Sequence, residues 1–387
     1  MKKLLFLING LANSGSEQSL VNFLNCLNYE KYNATVLVLK GPDDLAENIT
    51  PKAEIKYLYK DDPYFDSPKG IKLAFSHREY RLILPIILCN ILKKSKTKLF
   101  CHAVTSIRKR NIAPKETFDM CIAYEYVTMK YMTERIKAKK KTVRHNYGEI
   151  LPKKKDRLLF EKCDYVVALT PILKERLAET FRIPKEKIHI IPSNFDKKEI
   201  KRKSQEPVPP FPGALNFVSV GRITELKRQD LIIKAMKILK DRGYRDFACR
   251  FVGGCVSNRD NETYFAGLKK MTEDMGLTEN IIFTGETSNP FPYIKNSQIY
   301  LQASDFEAAS RSVIEALVLG KPCLSTDTVG GKALIIPGEN GELTPIGDPE
   351  KFGEKLIYMI NNLSRYTETD SIPDNEEIME KWYGLFE

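Results

Sequence analysis

Residues 301–326, LQASDFEAASRSVIEALVLGKPCLST, contain the pattern that decides the fold. A short apolar run leads to Ser304, a loop follows, and the apolar spacing from Val313 onward predicts a helix that packs by one face. Gly320, before a Lys-Pro pair, is predicted to end that helix, and residues 323–326 are predicted to form the next buried strand. The segment is therefore predicted to be one strand–helix–strand unit of a parallel α/β sheet.

Two carboxylates flank the predicted start of this helix, Glu307 in the loop and Glu315 eight residues later. In open parallel sheets, ligands bind at the carboxyl ends of the strands, beside the free N–H groups of the helices. A nucleotide sugar would fit there, with its phosphates on the N–H groups around Arg311, Ser312 and Val313 and its hydroxyls on the two carboxylates. The alternative is that Glu307 only caps the helix and Glu315 is a solvated helix residue. Either acid alone favours that alternative, whereas the pair together with the motifs below favours a binding site.

Length and composition indicate a two-domain globular protein. With 387 residues, the chain exceeds the roughly 250–300 at which single hydrophobic cores stop growing, and its 42% apolar content is ordinary. The eight cysteines and four histidines form no CxxC pair or ligand-like cluster, which favours reduced thiols. The apolar run 4–8 is too short for a signal peptide, and Pro85 and Asn90 interrupt the run 82–92. We therefore expect a cytoplasmic protein.

Charge is unevenly distributed along the chain. Residues 1–200 contain 38 Lys and Arg against 23 Asp and Glu, a net charge of +15, while the remainder carries −4. A basic first half is compatible with nucleic acid, an anionic membrane surface or an anionic acceptor. The basic runs contain no aromatic platform or nucleic-acid motif, so we expect no nucleic-acid partner. The apolar run 82–92 directly precedes the basic run 93–98, which favours peripheral contact with an anionic membrane.

Strand and helix patterns alternate along both halves of the chain, which predicts two parallel, doubly wound α/β sheets. Between them, residues 197–213 include EPVPPFPG, and this proline density cannot continue a helix or a central strand. We predict an N-terminal, acceptor-binding Rossmann-like domain at 1–196, a linker at 197–213 and a C-terminal, nucleotide-sugar-binding Rossmann-like domain at 214–372. Residues 373–387 are predicted to form a C-terminal helix that packs back toward the first domain. The two domains are expected to face each other across a cleft.

Several short motifs accompany the E-x7-E pair of Glu307 and Glu315. In chain order they are GSE at 15–17, DYVVALT at 164–170, IIPSN at 190–194, VGR at 220–222 followed by Lys227, and FTG at 283–285. Their order and spacing resemble family 4 retaining glycosyltransferases of the GT-B fold, of the bacterial capsule and surface-polysaccharide type. No single motif is specific, but all of them in this order make a strong signal. The resemblance begins at about residue 4, reaches the C-terminus and is strongest over 215–345.

The resemblance implies that a metal-independent cation pair stabilises a leaving nucleoside diphosphate, and Arg222 and Lys227 match its positions. Glu315 matches the acid that holds the ribose hydroxyls, and Glu307 the acid near the donor sugar. Gly15 matches a glycine of the N-terminal loop, where the absence of a Cβ lets the backbone approach the phosphate. Because no Asp-x-Asp motif occurs, we expect no metal ion and no cofactor.

His145, in TVRHN, resembles the histidine at a strand end in the family's N-terminal domain. That histidine would contact a donor-sugar hydroxyl or polarise the reacting centre, and His102 is a rival for the role. Gly285, in the FTG motif, is predicted to bind the donor. Two features depart from the family pattern: the EGFG-like loop reads EAAS at 307–310, and no acid follows Gly330-Gly331. The first affects the donor-sugar hydroxyl contacts and the second the local loop geometry.

Three functions stay open at this point. The preferred one is a retaining glycosyltransferase of the hexosyltransferase type, which moves a sugar from a nucleotide-sugar donor, with UDP-sugars as first choice. Its acceptor would be a glycan or lipid-linked saccharide in surface polysaccharide synthesis. A nucleotide-sugar epimerase shares the fold but would not explain the basic first half. A non-catalytic partner subunit of the same fold would be expected to have lost the site residues that this chain retains.

Overall fold

The computed structural model describes residues 1–12, 15–39, 43–58, 114, 116–146, 154–255, 259–366 and 371–387. The sequence also predicts a helix within 71–93. That segment lies outside these residues, as do the apolar run 82–92, the basic run 93–98 and His102. Within them, the chain forms two parallel sheets that correspond to the two halves of the sequence. No helix in this described part of the chain is long and apolar enough to cross a bilayer.

The first sheet contains seven described strands. They are β1 (Lys2–Ile8), β2 (Tyr32–Val38), β3 (Glu54–Tyr57), β4 (Phe118–Ala123), β5 (Ala138–His145), β6 (Tyr165–Ala168) and β7 (Ile188–Ile190). Their order is β3-β2-β1-β4-β5-β6-β7, and every pairing is parallel. The order reverses between β1 and β4, so a binding crevice is expected beside the carboxyl ends of these two strands.

β1 shows why this sheet is covered on both faces. Its last five residues are all buried, and alternate side chains enter different cores. Phe6 and Ile8 pack into one hydrophobic cluster, whereas Leu5 and Leu7 pack into the other. A continuous apolar run of this kind is typical of a central parallel strand, because both faces are shielded from water.

The second sheet contains six described strands. They are β8 (Leu215–Val220), β9 (Phe247–Val252), β10 (Ile281–Gly285), β11 (Ile299–Gln302), β12 (Cys323–Thr326) and β13 (Gly341–Thr344). Their order is β10-β9-β8-β11-β12-β13, again all parallel. The order reverses between β8 and β11, so the crevice of this domain opens where these strands end.

Helices pack on both faces of each sheet. In the first half they are Gly15–Cys26, Met129–Arg135, Lys154–Glu161 and Pro171–Phe181. In the second half they are Gln229–Asp241, Arg259–Asp274, Phe291–Lys295, Arg311–Val318, Val329–Leu334 and Pro349–Asn361. The helix predicted from the opening segment is therefore present, and it ends just before Gly320, whose φ is 68°.

The segment between the sheets begins with a further helix, Lys197–Lys203, and continues without regular structure to β8. Arg250 of β9 holds this stretch by donating hydrogen bonds to the carbonyl oxygens of Pro209 at 3.3 Å and Pro210 at 2.7 Å. Its guanidinium also stacks on the ring of Phe211, 4.7 Å from the ring centroid. The proline-rich segment is thus attached to the second sheet.

The last helix, Asn375–Phe386, packs against the first half of the chain. Buried Trp382 lies edge-on to Phe23, with ring centroids 5.4 Å apart. Tyr383 stacks on Tyr32 at 5.3 Å. The chain therefore returns to the first sheet after completing the second.

Candidate active site

The site residues predicted in the second half come together at the crevice between β8 and β11. Arg222 follows β8, and Glu307 lies in the loop that joins β11 to the helix Arg311–Val318. Because β8 and β11 are neighbouring parallel strands, both loops leave the same edge of the sheet. This is the edge at which the sequence predicted the nucleotide.

Lys227 and Glu307 form a close ion pair, with Nζ and Oε1 2.5 Å apart. The same Oε1 accepts a hydrogen bond from Gln302 at 2.8 Å, and Ser310 donates to the amide oxygen of Gln302 at 2.8 Å. The Glu307 side chain is 13% exposed, and no side chain caps the helix at its N-cap residue Ser310. The alternative that Glu307 only caps this helix is therefore wrong.

The loop that carries Glu307 is supported by the Gly-Gly pair at 330–331. The Gly330 N–H donates to the Glu307 carbonyl oxygen at 2.8 Å. A Cβ on Gly330 would lie 3.0 Å from backbone atoms of Ala308 and Ala309, closer than side chains ordinarily pack. Glycine is needed here so that the two loops can approach each other.

The turn that carries Lys227 is fixed by its neighbour Arg228, which has a left-handed backbone conformation with φ of 49°. The Arg228 guanidinium pairs with Asp230 at 3.0 Å and with Asp305 at 3.2 Å. The Asp305 N–H in turn donates to the carbonyl oxygen of Leu226 at 3.0 Å. These contacts tie the Lys227 turn to the Glu307 loop.

Arg222 differs from Lys227 because it is exposed and has no ion-pair or hydrogen-bond partner for its guanidinium among the described residues. It follows Gly221, which Gly253 approaches so closely that a Cβ on Gly253 would lie 2.0 Å from the Gly221 oxygen. Gly285 contacts the same pair of loops. Its carbonyl oxygen accepts a hydrogen bond from the Gly253 N–H at 2.8 Å, and its φ is 83°. The glycines bring the strand-end loops together beneath Arg222.

Glu315 is 8% exposed and pairs with Arg311, whose Nη2 lies 3.4 Å from Oε1. Burial raises the pKa of this carboxyl, and the charge of Arg311 opposes the shift. The alternative that Glu315 is a solvated helix residue is therefore wrong. A buried carboxylate with one cation partner can accept hydrogen bonds from hydroxyl groups of a ligand.

The start of the helix Arg311–Val318 offers free donors. The N–H of Ile314 donates to the carbonyl oxygen of Ser310 at 3.1 Å, so the N–H groups of Arg311, Ser312 and Val313 precede the first bond of the helix. Val313 points its side chain into the core, and the hydroxyls of Ser312 and Ser310 are 3.3 Å apart. An anion is favoured at such a helix start.

The first domain contributes Gly15 and His145. Gly15 begins the helix Gly15–Cys26, and a Cβ on it would lie 3.1 Å from Cδ of Arg311 in the other domain. His145 is the last residue of β5; it is buried, and its ring centroid is 5.7 Å from that of Tyr126. Gly15 therefore faces the second domain directly, whereas His145 packs within the first.

Two polar residues of this region escaped the sequence analysis. Gln302 is the last residue of β11, and no sequence motif singles it out. Glu125 follows β4 at the reversal point of the first sheet, and it accepts hydrogen bonds from the Asn9 N–H at 2.9 Å and from Ser16 at 3.3 Å. Burial, together with the charge of Glu17, raises the pKa of Glu125 to about 7. An acid directly after a predicted strand was the signal that could have identified Glu125.

In the described ranges, no three His, Cys, Asp or Glu side chains come together in a way that could hold a metal ion. Each cysteine in these ranges is a free thiol.

Residues 198–371 match the family model described as Glycosyl transferases group 1. The second half of the chain is thus similar to glycosyltransferase group 1 domains. It contains Arg222, Lys227, Glu307 and Glu315, and the first domain lies outside the match.

Curated relatives agree with this match. An uncharacterised glycosyltransferase of Methanocaldococcus jannaschii is 26% identical over 191 residues, which are 48% of this chain and 45% of the relative. The poly(ribitol-phosphate) alpha-N-acetylglucosaminyltransferase of Staphylococcus aureus is 26% identical over 177 residues, 43% of this chain and 34% of the relative. The chain spans about half the length of the first curated relatives it matches.

Solved structures of the same fold match along most or all of the chain. HepE of Anabaena, solved with UDP and glucose, has a TM-score of 0.65 at 16% identity. The match covers 94% of this chain and 91% of the HepE chain. A mutant of TarM from Staphylococcus aureus, solved with fondaparinux, alpha-GlcNAc-glycerol and UDP, has a TM-score of 0.70 at 14% identity and covers both chains fully. The protein has the GT-B fold, two Rossmann-like α/β domains.

Proposed function

We propose that the protein is a retaining, metal-independent glycosyltransferase that uses a nucleotide sugar, with UDP-sugars as first choice. The observation that carries the proposal is the convergence of Lys227, Glu307 and Glu315 at the reversal point of a domain similar to glycosyltransferase group 1 domains. Cations there can stabilise the charge that develops on a departing diphosphate. The carboxylates can accept hydrogen bonds from hydroxyls of the donor sugar and the ribose.

In this proposal each site residue has a distinct task. Arg222 and Lys227 bind the diphosphate, and the N–H groups of Arg311, Ser312 and Val313 bind it at the helix start, with Gly285 beside the donor in the second domain. Glu307 orients the donor sugar and Glu315 the ribose. Gly15 and His145 act from the first domain. His145 is buried, so the donor would need to reach it through the residues that now cover it.

The acceptor is proposed to be a glycan or a lipid-linked saccharide in surface polysaccharide synthesis, bound by the first domain. Supporting this, similar proteins include a lipopolysaccharide core biosynthesis glycosyltransferase of Rhizobium meliloti. Another is a Campylobacter jejuni 4-alpha-N-acetylgalactosaminyltransferase that is named for a saccharide on diphospho-undecaprenol. The net charge of +15 over residues 1–200 would bring such a domain to an anionic acceptor or to the inner face of the cell membrane.

The test is a panel of UDP-, GDP- and ADP-sugars offered to the purified protein, with and without short glycan acceptors. Release of one nucleoside diphosphate identifies the donor, and proton NMR of the first product identifies the configuration at the new bond. We expect the product to keep the donor's anomeric configuration. A product of inverted configuration would disprove the retaining mechanism, and no release from any donor would disprove the proposed function.

A further inference from the structure

Two arginines, one from each domain, approach each other between the sheets. Arg144 belongs to β5 and is 1% exposed, and Arg311 begins the helix Arg311–Val318 of the second domain. Burial lowers the pKa of Arg144, and the positive charge of Arg311 lowers it further. Like charges in a poorly solvated place repel each other, so this arrangement calls for a compensating anion.

Arg311 makes contacts with both domains. Its Cδ lies 3.1 Å from the position that a Cβ would take on Gly15, and its guanidinium is 4.4 Å from the ring centroid of Phe195, just before the helix Lys197–Lys203. Nη2 reaches Glu315 at 3.4 Å, whereas Nη1 is buried without an acceptor in the described part of the chain. The missing side chain of Gly15 therefore makes room for Arg311.

Arg144 has neutral neighbours. It donates to Ser193 Oγ at 2.6 Å, to Ser19 Oγ at 3.2 Å and to Asn146 Oδ1 at 2.5 Å, and it lies over the Tyr124 ring at 4.6 Å. Its Nε has no acceptor, and no carboxylate pairs with it, among the residues that the structure describes. Its charge is thus enclosed, and no described residue neutralises it.

Among the described contacts of these two arginines, the balance of charge is positive. Of the two guanidinium groups, only that of Arg311 pairs with a carboxylate of the described residues, and this carboxylate, Glu315, is assigned to the ribose hydroxyls by the proposed function. An enclosed charge without a partner is costly, and a guanidinium fork matches the oxygens of a phosphate group. Arg311 keeps 20% of its side chain exposed, so an anion can reach it from the crevice.

We propose that Arg311, with Arg144 behind it, forms a second phosphate site between the domains, in addition to Arg222 and Lys227. Arg311 donates to the phosphoryl oxygens, and Arg144 is a positioning residue that adds positive charge and holds the first domain against the anion. The phosphate belongs either to the diphosphate of the nucleotide or to a phosphate group on the acceptor. This inference rests on the proposed function for the identity of those two ligands.

Titration calorimetry on the full chain distinguishes the two sources of the phosphate, the nucleotide and the acceptor. UDP and uridine are titrated into wild type, Arg311→Gln, Arg311→Lys and Arg144→Gln, with exposed Arg202→Gln as the matched control. If the nucleotide supplies the phosphate, Arg311→Gln and Arg144→Gln weaken UDP binding about tenfold or more and leave uridine binding unchanged. Arg311→Lys retains part of the affinity, because it keeps the charge and loses the fork. A purely structural role of Arg144 would weaken UDP and uridine alike.

If the acceptor supplies the phosphate, UDP binding is unchanged in these variants. Glycerol 3-phosphate then binds to UDP-saturated wild type and binds about tenfold more weakly, or not at all, to UDP-saturated Arg311→Gln. Thermal melting of each variant confirms that it is folded. Two results overturn the proposal. In the first, wild type and Arg311→Gln bind UDP equally and also bind glycerol 3-phosphate equally. In the second, the variants bind UDP as wild type does, and wild type does not bind glycerol 3-phosphate.

Titration with pyrophosphate tests the second phosphate site independently of the proposed function. If wild type binds no UDP, the nucleotide-sugar assignment is refuted. Titration with pyrophosphate alone still tests the role of the arginines in that case. Binding of pyrophosphate that weakens about tenfold in Arg311→Gln supports the second phosphate site even then. Binding that is absent, or equal in both proteins, refutes it.

Discussion

Lys227 and Glu307 neutralise each other at 2.5 Å, although the proposed function gives them different parts of the donor. A nucleotide sugar that lies across both would bring its diphosphate to Lys227 and a hydroxyl to Glu307. Gln302 donates a hydrogen bond to the same carboxylate, so it holds Glu307 in place when the donor replaces the contact between Glu307 and Lys227. Arg222 has no described partner to give up, so it is available to the diphosphate at once.

Arg222→Ala and Lys227→Ala are each expected to lower kcat by about 10²–10³-fold, because each removes a cation from the leaving diphosphate. Both variants should also bind UDP more weakly. Steady-state assays of nucleoside diphosphate release check this, with circular dichroism as the folding control. Lys237→Ala is the matched control, because Lys237 pairs with Asp241 on the helix Gln229–Asp241. Wild-type turnover in both site variants would contradict the assignment.

Glu125→Gln is expected to change how stability depends on pH. The pKa of Glu125 is about 7 in the folded protein, above the ordinary 4.5, so the folded state favours the protonated acid. Stability linked to this group is fully present below about pH 4.5 and is lost as the pH rises through about 7.

Glutamine resembles the protonated acid, so the melting temperature of Glu125→Gln relative to wild type should rise between pH 4.5 and pH 8. The full effect corresponds to about 3 kcal/mol. Exposed Glu30→Gln is the matched control. A difference between Glu125→Gln and wild type that stays constant across this range would show that burial does not disfavour the charged acid.

At the level of elements, periodicity in the sequence identified most central strands and long helices. For example, the sequence pattern predicts a helix over residues 171–181, and the structure has the helix Pro171–Phe181 there. The sequence pattern does not predict the edge strands β3 and β13, because each has four residues of mixed polarity, EIKY and GELT, without a clear apolar run.

The candidate site was predictable to the extent that it depends on spacing along the chain. The loop acid and the helix acid were found in that way. The Glu307 contact with Lys227 and the Glu315 contact with Arg311 depend on how loops from separate strands meet, which spacing does not encode. Sequence spacing does not single out Arg144, because it lies inside a strand and its partners come from distant segments.

Trp382→Ala tests the contribution of the last helix, Asn375–Phe386, to the first domain. Removing this buried ring from its contact with Phe23 should cost about 3–5 kcal/mol and lower the melting temperature of the first domain. Lys381→Ala, which removes a side chain that pairs with Glu377 on the exposed face, is the matched control. Equal melting of both variants and wild type would mean that this helix does not stabilise the first domain.

At the level of the whole molecule, the difference in charge between the halves predicts salt-sensitive docking to an anionic membrane. Each Lys or Arg near such a surface contributes roughly 1 kcal/mol, and the Debye length falls from about 10 Å at 0.1 M salt to about 3 Å at 1 M. Vesicles with anionic lipid should therefore co-sediment the protein at low salt and release it at high salt.

The variant for this test changes four lysines to Gln, at positions outside the described residues: Lys93, Lys94, Lys96 and Lys98. It should co-sediment less than wild type at low salt. If both sediment equally little, the membrane proposal is wrong, and the acceptor should be sought among soluble glycans. Vesicles of neutral lipid serve as the control for apolar contact alone.

The measurement that most directly tests the central claim is nucleoside diphosphate release from the sugar-nucleotide panel in buffer that contains EDTA. We predict that wild type releases the diphosphate from at least one donor, and that the double variant Arg222→Ala/Lys227→Ala releases it at least about 10²-fold more slowly. Release that EDTA abolishes and Mg²⁺ or Mn²⁺ restores would contradict the assignment of the charge stabilisation to these two side chains. Equal rates in the two proteins would contradict it as well.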